Sequence, residues 1–187
     1  KKLTISEIGL FGIIYLGIIS LSINFILPLT QIINTLILIA IFFLLFFQKI
    51  LKIKELKRIL IGSLKVSIIG TIFLAYSKSY TPDSFLYHLP YTNLINDYKI
   101  IPGSYLFHFR FGHVSILQYV NAFFNNLLLG INGITFVICL ILSFFLVYII
   151  SELHIILKKN KKIKFYDYFI ILTFIFLCIR MNRYSDF

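Results

Sequence analysis

Residues 131–164 read INGITFVICLILSFFLVYIISELHIILKKNKKIK. From Ile131 to Leu157 the stretch is dominated by aliphatic and aromatic residues, and Lys158, Lys159, Lys161, Lys162 and Lys164 follow at once. About 20 apolar residues suffice for a helix to cross the hydrocarbon core, and basic residues gather on the cytoplasmic side of such spans. This stretch therefore reads as a membrane-crossing helix that ends in the cytoplasm. Four further apolar runs surround it: Ile8 to Leu27, closed by Pro28; Ile32 to Phe47; Ile59 to Tyr76; and Tyr166 to about Ile179. The few residues between the first two make them an antiparallel hairpin. A signal peptide is the alternative for the first run, but no small-residue cleavage site follows it.

Composition points the same way. Of 187 residues 59% are hydrophobic and 13% charged, against roughly 45–50% and 25% in a soluble domain. The net charge of +11 does not imply a nucleic-acid partner, because the cations cluster between apolar runs and form no stripe with interleaved aromatics. Cys139 and Cys178 lie inside apolar runs and read as buried small hydrophobes without disulfide or zinc spacing.

Orientation follows from the cations. Lys1, Lys2, the 49–58 cluster and the 158–164 cluster hold 12 of the 18 Lys and Arg, and five crossings put all of them on one side. Lys78, Lys99, Arg110, Arg180 and Arg183 fall on the other side, and Lys65 lies within the third run. Lys65 is read as snorkelling to the cytoplasmic interface, with a buried functional ion as the sharper alternative. Gly62, Val66 and Gly70 give the third run a narrow side suited to close packing. The expectation is an all-α polytopic transmembrane bundle of about five spans, with a cytoplasmic N-terminus. The chain starts without Met and stops just past an apolar run, so 1–187 is expected to be the membrane domain at the N-terminus of a longer protein.

Residues 77–130 form the large external loop. A connection this long usually has structure and a task of its own. Tyr91, Leu94, Ile95 and Tyr98 follow helical spacing, Pro90 suits a helix start, and Pro102-Gly103 marks a turn. From Val114 to Leu129, Ile116, Val120, Phe123, Phe124 and Leu127 share one side, opposite Ser115, Gln118, Asn121, Asn125 and Asn126. That division predicts two interfacial helices in the loop, the second with its polar side toward water or headgroups. A sixth span would need buried partners for that side.

The loop also holds the candidate chemistry. Asp83, in Thr81-Pro82-Asp83-Ser84, is either a helix N-cap or a carboxylate acting as base, sugar anchor or metal ligand. His88, His108 and His113 could gather with it around a cation or phosphate. The five-residue step from His108 to His113 is not a helical metal pair, and a hard divalent ion would want more carboxylates. No metal or other cofactor is assigned, although a divalent ion stays open. Arg110 could clasp a phosphate bidentately or anchor to lipid headgroups.

The segment Pro82-Asp83-Ser84-Phe85-Leu86-Tyr87-His88-Leu89-Pro90, with Ile101-Pro102-Gly103 and Phe109-Arg110-Phe111-Gly112, resembles a family of bacterial polytopic membrane proteins of unassigned activity. The similarity is close over about 75–130, and Arg183-Tyr184-Ser185-Asp186-Phe187 looks like the start of a second external motif. That family in turn resembles the GT-C glycosyltransferases, which move sugars from polyprenyl-phosphate donors on the outer face and carry an acid near the start of a first external loop. The resemblance implies that Asp83 acts on the acceptor or a metal, while His88, His108, Arg110 and His113 correspond only as loop residues. The paired acids common after the first span in that superfamily are here one Asp after the third. The expected function is glycosyl transfer from a polyprenyl-phosphate sugar in envelope polysaccharide or glycolipid synthesis. A flippase or transporter of lipid-linked sugars and a non-catalytic assembly subunit are the alternatives. Membrane lipids are the expected partners in each case.

Overall fold

The computed structural model describes residues 3–47, 53–76, 84–112, 115–158 and 164–183, and every regular element among them is helical. The five long helices are α1 (Ile5–Asn24), α2 (Gln31–Phe47), α3 (Ile53–Tyr76), α6 (Gly133–Lys158) and α7 (Phe165–Arg183). They match the five apolar runs. Two short helices lie between α3 and α6, namely α4 (Leu89–Asp97) and α5 (Ile116–Phe124).

Local chemistry sets several boundaries. Thr4 and Glu7 form a reciprocal capping box at the start of α1: the Glu7 N–H donates to the Thr4 hydroxyl at 3.2 Å and the Thr4 N–H to the Glu7 carboxylate at 2.6 Å. Asp167 does half of this for α7, accepting from the Lys164 N–H at 2.9 Å. Lys65 is exposed on α3 and is not buried among the described helices.

α3 packs on α6 through its narrow side. Val66 and Gly70 are buried, and a Cβ on Gly70 would lie 3.2 Å from the Ser143 hydroxyl. Ser143 returns its proton to its own helix, at the Cys139 carbonyl (2.6 Å), and so adds no unpaired donor to the seam. Arg58 reaches the Leu3 carbonyl at 3.3 Å, while Gly9 meets the Phe144 ring. The starts of α1 and α3 and the middle of α6, at Phe144, therefore lie together, and α4 and α5 lie toward the other end, beside Gly17 to Asn24 of α1.

Surface and interior are distributed in an unusual sense. The buried residues of α1 are Ser6, Ile13, Gly17, Ser20 and Asn24, while Phe11, Ile14, Tyr15 and Ile18 face outward. Exposed Ile32, Leu36, Ile39, Phe42 and Phe43 on α2 and Phe169, Leu172, Ile175 and Phe176 on α7 continue this apolar exterior. Water-soluble monomers rarely expose apolar patches beyond a few hundred Å². Among the described residues two stretches are long and apolar enough to cross a membrane, Ile5–Asn24 and Gly130–Lys158; Gln31–Leu44 and Phe165–Leu177 are shorter apolar helices.

Candidate functional site

The outer loop is built from short pieces. A single π-helical turn, Ser84–His88, runs directly into α4, and Pro90 sits in its first turn, where its missing N–H costs nothing. The expected face is present: Tyr91 and Ile95 are buried and Leu94 is half-buried, while Tyr98 is left exposed as the chain leaves the helix. At Ile101-Pro102-Gly103-Ser104 the Ser104 N–H donates to the Ile101 carbonyl at 3.3 Å, with Gly103 at φ 79° and ψ 15°. This is a type II turn, which needs the left-handed conformation that Gly adopts without penalty.

α5 differs from the expectation on its polar side. Its start is a capping box, Ser115 with Gln118, in which Ser115 is exposed as expected while its partner Gln118 is turned back to the helix end. Beyond that, Gln118, Asn125 and Asn126 are buried rather than turned to water or headgroups. The apolar side packs on α1 and α6, with Val120 in a cluster with Ile13 and Val137. The other side, through Tyr119 and Ala122, meets Leu29, Tyr91 and Ile95. Two close approaches permit this. A Cβ on Gly17 would lie 2.6 Å from the Ile116 side chain, and one on Gly133 would overlap the Phe124 carbonyl.

What stabilises the buried polar side is a set of carboxamides. The Asn34 amide nitrogen donates to the carbonyls of Leu29 (2.8 Å), Ala122 (2.8 Å) and Asn125 (2.9 Å). Asn96 donates to the same Leu29 and Ala122 carbonyls at 2.6 and 2.9 Å. The Asn125 side chain donates to the Asn96 oxygen and accepts from Gln31, both at 2.9 Å. Asn24 donates to the carbonyls of Ile95 (3.2 Å) and Tyr98 (3.0 Å). The link between α1 and α2, the end of α4 and the end of α5 are thus held as one unit. Carbonyls that end a helix need donors, and with water excluded the asparagines supply them. The partners that a buried polar side required are therefore present.

A prediction follows from this burial. Asn125→Lys and Phe123→Lys should both lower the melting temperature of the purified protein, each by several degrees. One breaks the carboxamide network and the other drives a charge into the apolar side. A silent Asn125→Lys would mean that this side is solvated.

Between α4, α5, the end of α1 and the type II turn lies a cavity of about 100 Å³. Its polar wall is Asn24, Tyr91, Tyr98, Lys99, Ser104 and Tyr119, and aliphatic side chains complete it. The Tyr91 and Tyr119 hydroxyls are hydrogen-bonded to each other. Burial pushes the Tyr119 hydroxyl well above its usual range, reinforced by Tyr91, and burial also raises Tyr91 against the opposing effect of their bond. Both stay protonated.

The residues singled out in sequence are placed around this cavity only in part. His108 stacks on Phe109 (ring centroids 5.0 Å) and meets Phe111 (5.4 Å), which packs on Tyr91 (5.2 Å). An aromatic chain therefore connects His108 to the cavity wall. His88 is exposed, with its ring 4.1 Å from that of Tyr87. Arg110 lies in a helical turn at Phe109–Gly112, its side chain outside what is described. Asp83 and His113 lie outside the described residues. Among the described residues no three of His, Cys, Asp and Glu come together as a metal site.

Lys99, Ser104, Tyr119 and the buried asparagines were not singled out as site residues. Asn24 and Asn34 carried a readable signal, since each is a carboxamide set in an apolar run, where an unpaired polar group is costly. Tyr119 carried none.

These features define a class: an all-helical bundle with an apolar exterior, polar seams, and a structured loop closed around a small cavity. Within that class the chain belongs to the family described as a domain of unknown function (DUF8201), whose model matches residues 1–185. No curated protein and no solved structure matches the chain.

Proposed function

We propose that this chain is the membrane domain of a GT-C-like glycosyltransferase that uses a polyprenyl-phosphate sugar to build an envelope polysaccharide or glycolipid. In this reading α1, α2, α3, α6 and α7 are five spans, the N-terminus is cytoplasmic and the 77–130 loop is external in a bacterial inner membrane. The observation that supports membrane embedding is the outward apolar surface of α1, α2 and α7 with small and polar residues inside, the packing expected where lipid is the solvent. Transfer is supported by the loop that carries the Tyr-His-Leu-Pro and Arg-Phe-Gly motifs. It is folded around a cavity at the bundle end away from the α1 and α3 starts. Asp83 would activate the acceptor hydroxyl, and Arg110 or a histidine would stabilise the leaving lipid phosphate.

Two measurements test this. Full-length protein in membranes, given a radiolabelled polyprenyl-phosphate sugar and envelope acceptors, should release lipid phosphate as sugar is transferred. No release with any of a panel of donors would sink the transferase reading. For topology, a cysteine at Ser104 should react with an impermeant thiol reagent in intact cells and one at Asn160 should not. The reverse labelling would reject the orientation drawn from charge.

A further inference from the structure

The described residues that wall the cavity under the type II turn are rich in hydrogen-bond donors and include no carboxylate. We infer that it is a binding site for one phosphate group, with Lys99 as its counter-charge. That the phosphate belongs to a lipid rests on the proposed function; that the cavity takes a phosphate does not.

Size decides first. A site enclosing a whole small molecule measures about 300–1,000 Å³, and about 100 Å³ accommodates a headgroup alone. Charge decides next. Lys99 is the cationic side chain among the described residues of the wall, and the Tyr91, Tyr98 and Ser104 hydroxyls can donate beside it, the Tyr119 proton being committed to Tyr91. Burial raises Tyr91 and so keeps its proton in place to donate. Sugar hydroxyls would instead call for carboxylate acceptors, and the described residues of this wall supply none.

The end of α4 would ordinarily repel an anion through its free carbonyls. Here they are occupied: Leu94 accepts from the Tyr98 N–H at 2.9 Å, and Ile95 accepts from Asn24 and from the Leu29 N–H at 3.1 Å. Asn24 covers the Tyr98 carbonyl as well. Leu94, Ile95, Ile100 and Ile101 make the rest of the described wall apolar. The same side chains suit an alkyl chain attached to the phosphate.

The test is binding, read by ³¹P line broadening on the purified full-length protein, with dodecyl phosphate and inorganic phosphate as separate probes. Dodecyl phosphate should saturate the wild type and bind Lys99→Gln at least about tenfold more weakly, as expected for losing a charge-assisted contact. Lys65→Gln, which removes an exposed cation on α3, should bind as the wild type does. Because Lys99 is exposed, its variant should melt with the wild type. Dodecyl phosphate binding at least tenfold tighter than inorganic phosphate assigns the site to a lipid headgroup; equal affinities assign it to free phosphate. Wild-type affinity in Lys99→Gln, or no saturation by either probe, overturns the site. Saturable binding in a protein that transfers no sugar would remove the transferase and leave the phosphate site standing.

Discussion

Asn34→Asp is expected to destabilise the protein more than Asn34→Ala, although it changes a single atom. The Asn34 amide nitrogen faces three carbonyl oxygens at 2.8–2.9 Å, and the side chain is fully buried. Its own oxygen has no partner among the described residues, so the side chain acts there purely as a donor. Alanine removes the donor and leaves space. Asn96 still serves the Leu29 and Ala122 carbonyls, while the Asn125 carbonyl loses its Asn34 donor, at a cost of about 2–4 kcal/mol including the lost packing. Aspartate puts a second oxygen where the donor was. As an anion it would be repelled by all three carbonyls, so it would be held protonated, its pKa raised well above that of the unfolded chain. A raised folded-state pKa means that the folded form binds more protons, so stability falls as pH rises. The melting temperature of Asn34→Asp should therefore drop between pH 5 and 8 relative to the wild type, whereas the deficit of Asn34→Ala should stay constant. Equal, pH-independent deficits would show that Asn34 sits in water.

Asp83→Asn carries the largest expected effect on activity. Asn caps a helix about as well as Asp, so a purely structural Asp83 predicts a silent change. A general base does not survive the exchange, and its loss typically costs about 10²–10⁴-fold in rate. We expect sugar transfer by the full-length protein to fall within that range with melting temperature unchanged. Arg110→Lys should be intermediate, since it retains charge and loses the planar fork. His88→Ala should be mild, because His88 is exposed and its contact to Thr92 is made by its backbone carbonyl, at 2.8 Å. Undiminished transfer by Asp83→Asn would remove Asp83 from the mechanism.

The sequence by itself determined the helices. Each apolar run became one, because a long aliphatic segment satisfies its backbone internally wherever it lies. Gly62, Val66 and Gly70 announced a close helix contact, Pro102-Gly103 a turn, and the face from Tyr91 to Ile95 a buried side. Those are local properties, legible from periodicity and from the conformations that Gly and Pro permit.

Only the tertiary structure decided where the polar side of α5 would go. A nine-residue amphipathic helix can lie against water, headgroups or other protein, and its own pattern is the same in all three. The choice was made by groups distant in the chain: Gly17 and Gly133 leave room for α5, and Asn34 and Asn96 satisfy the Ala122 carbonyl as water would have done. The cavity is likewise a product of packing, since Asn24, Lys99 and Tyr119 meet only when the end of α1 closes against the loop. A carboxamide in an apolar run says that a partner exists. Which carbonyl it finds depends on how the helices pack, and no local pattern carries that.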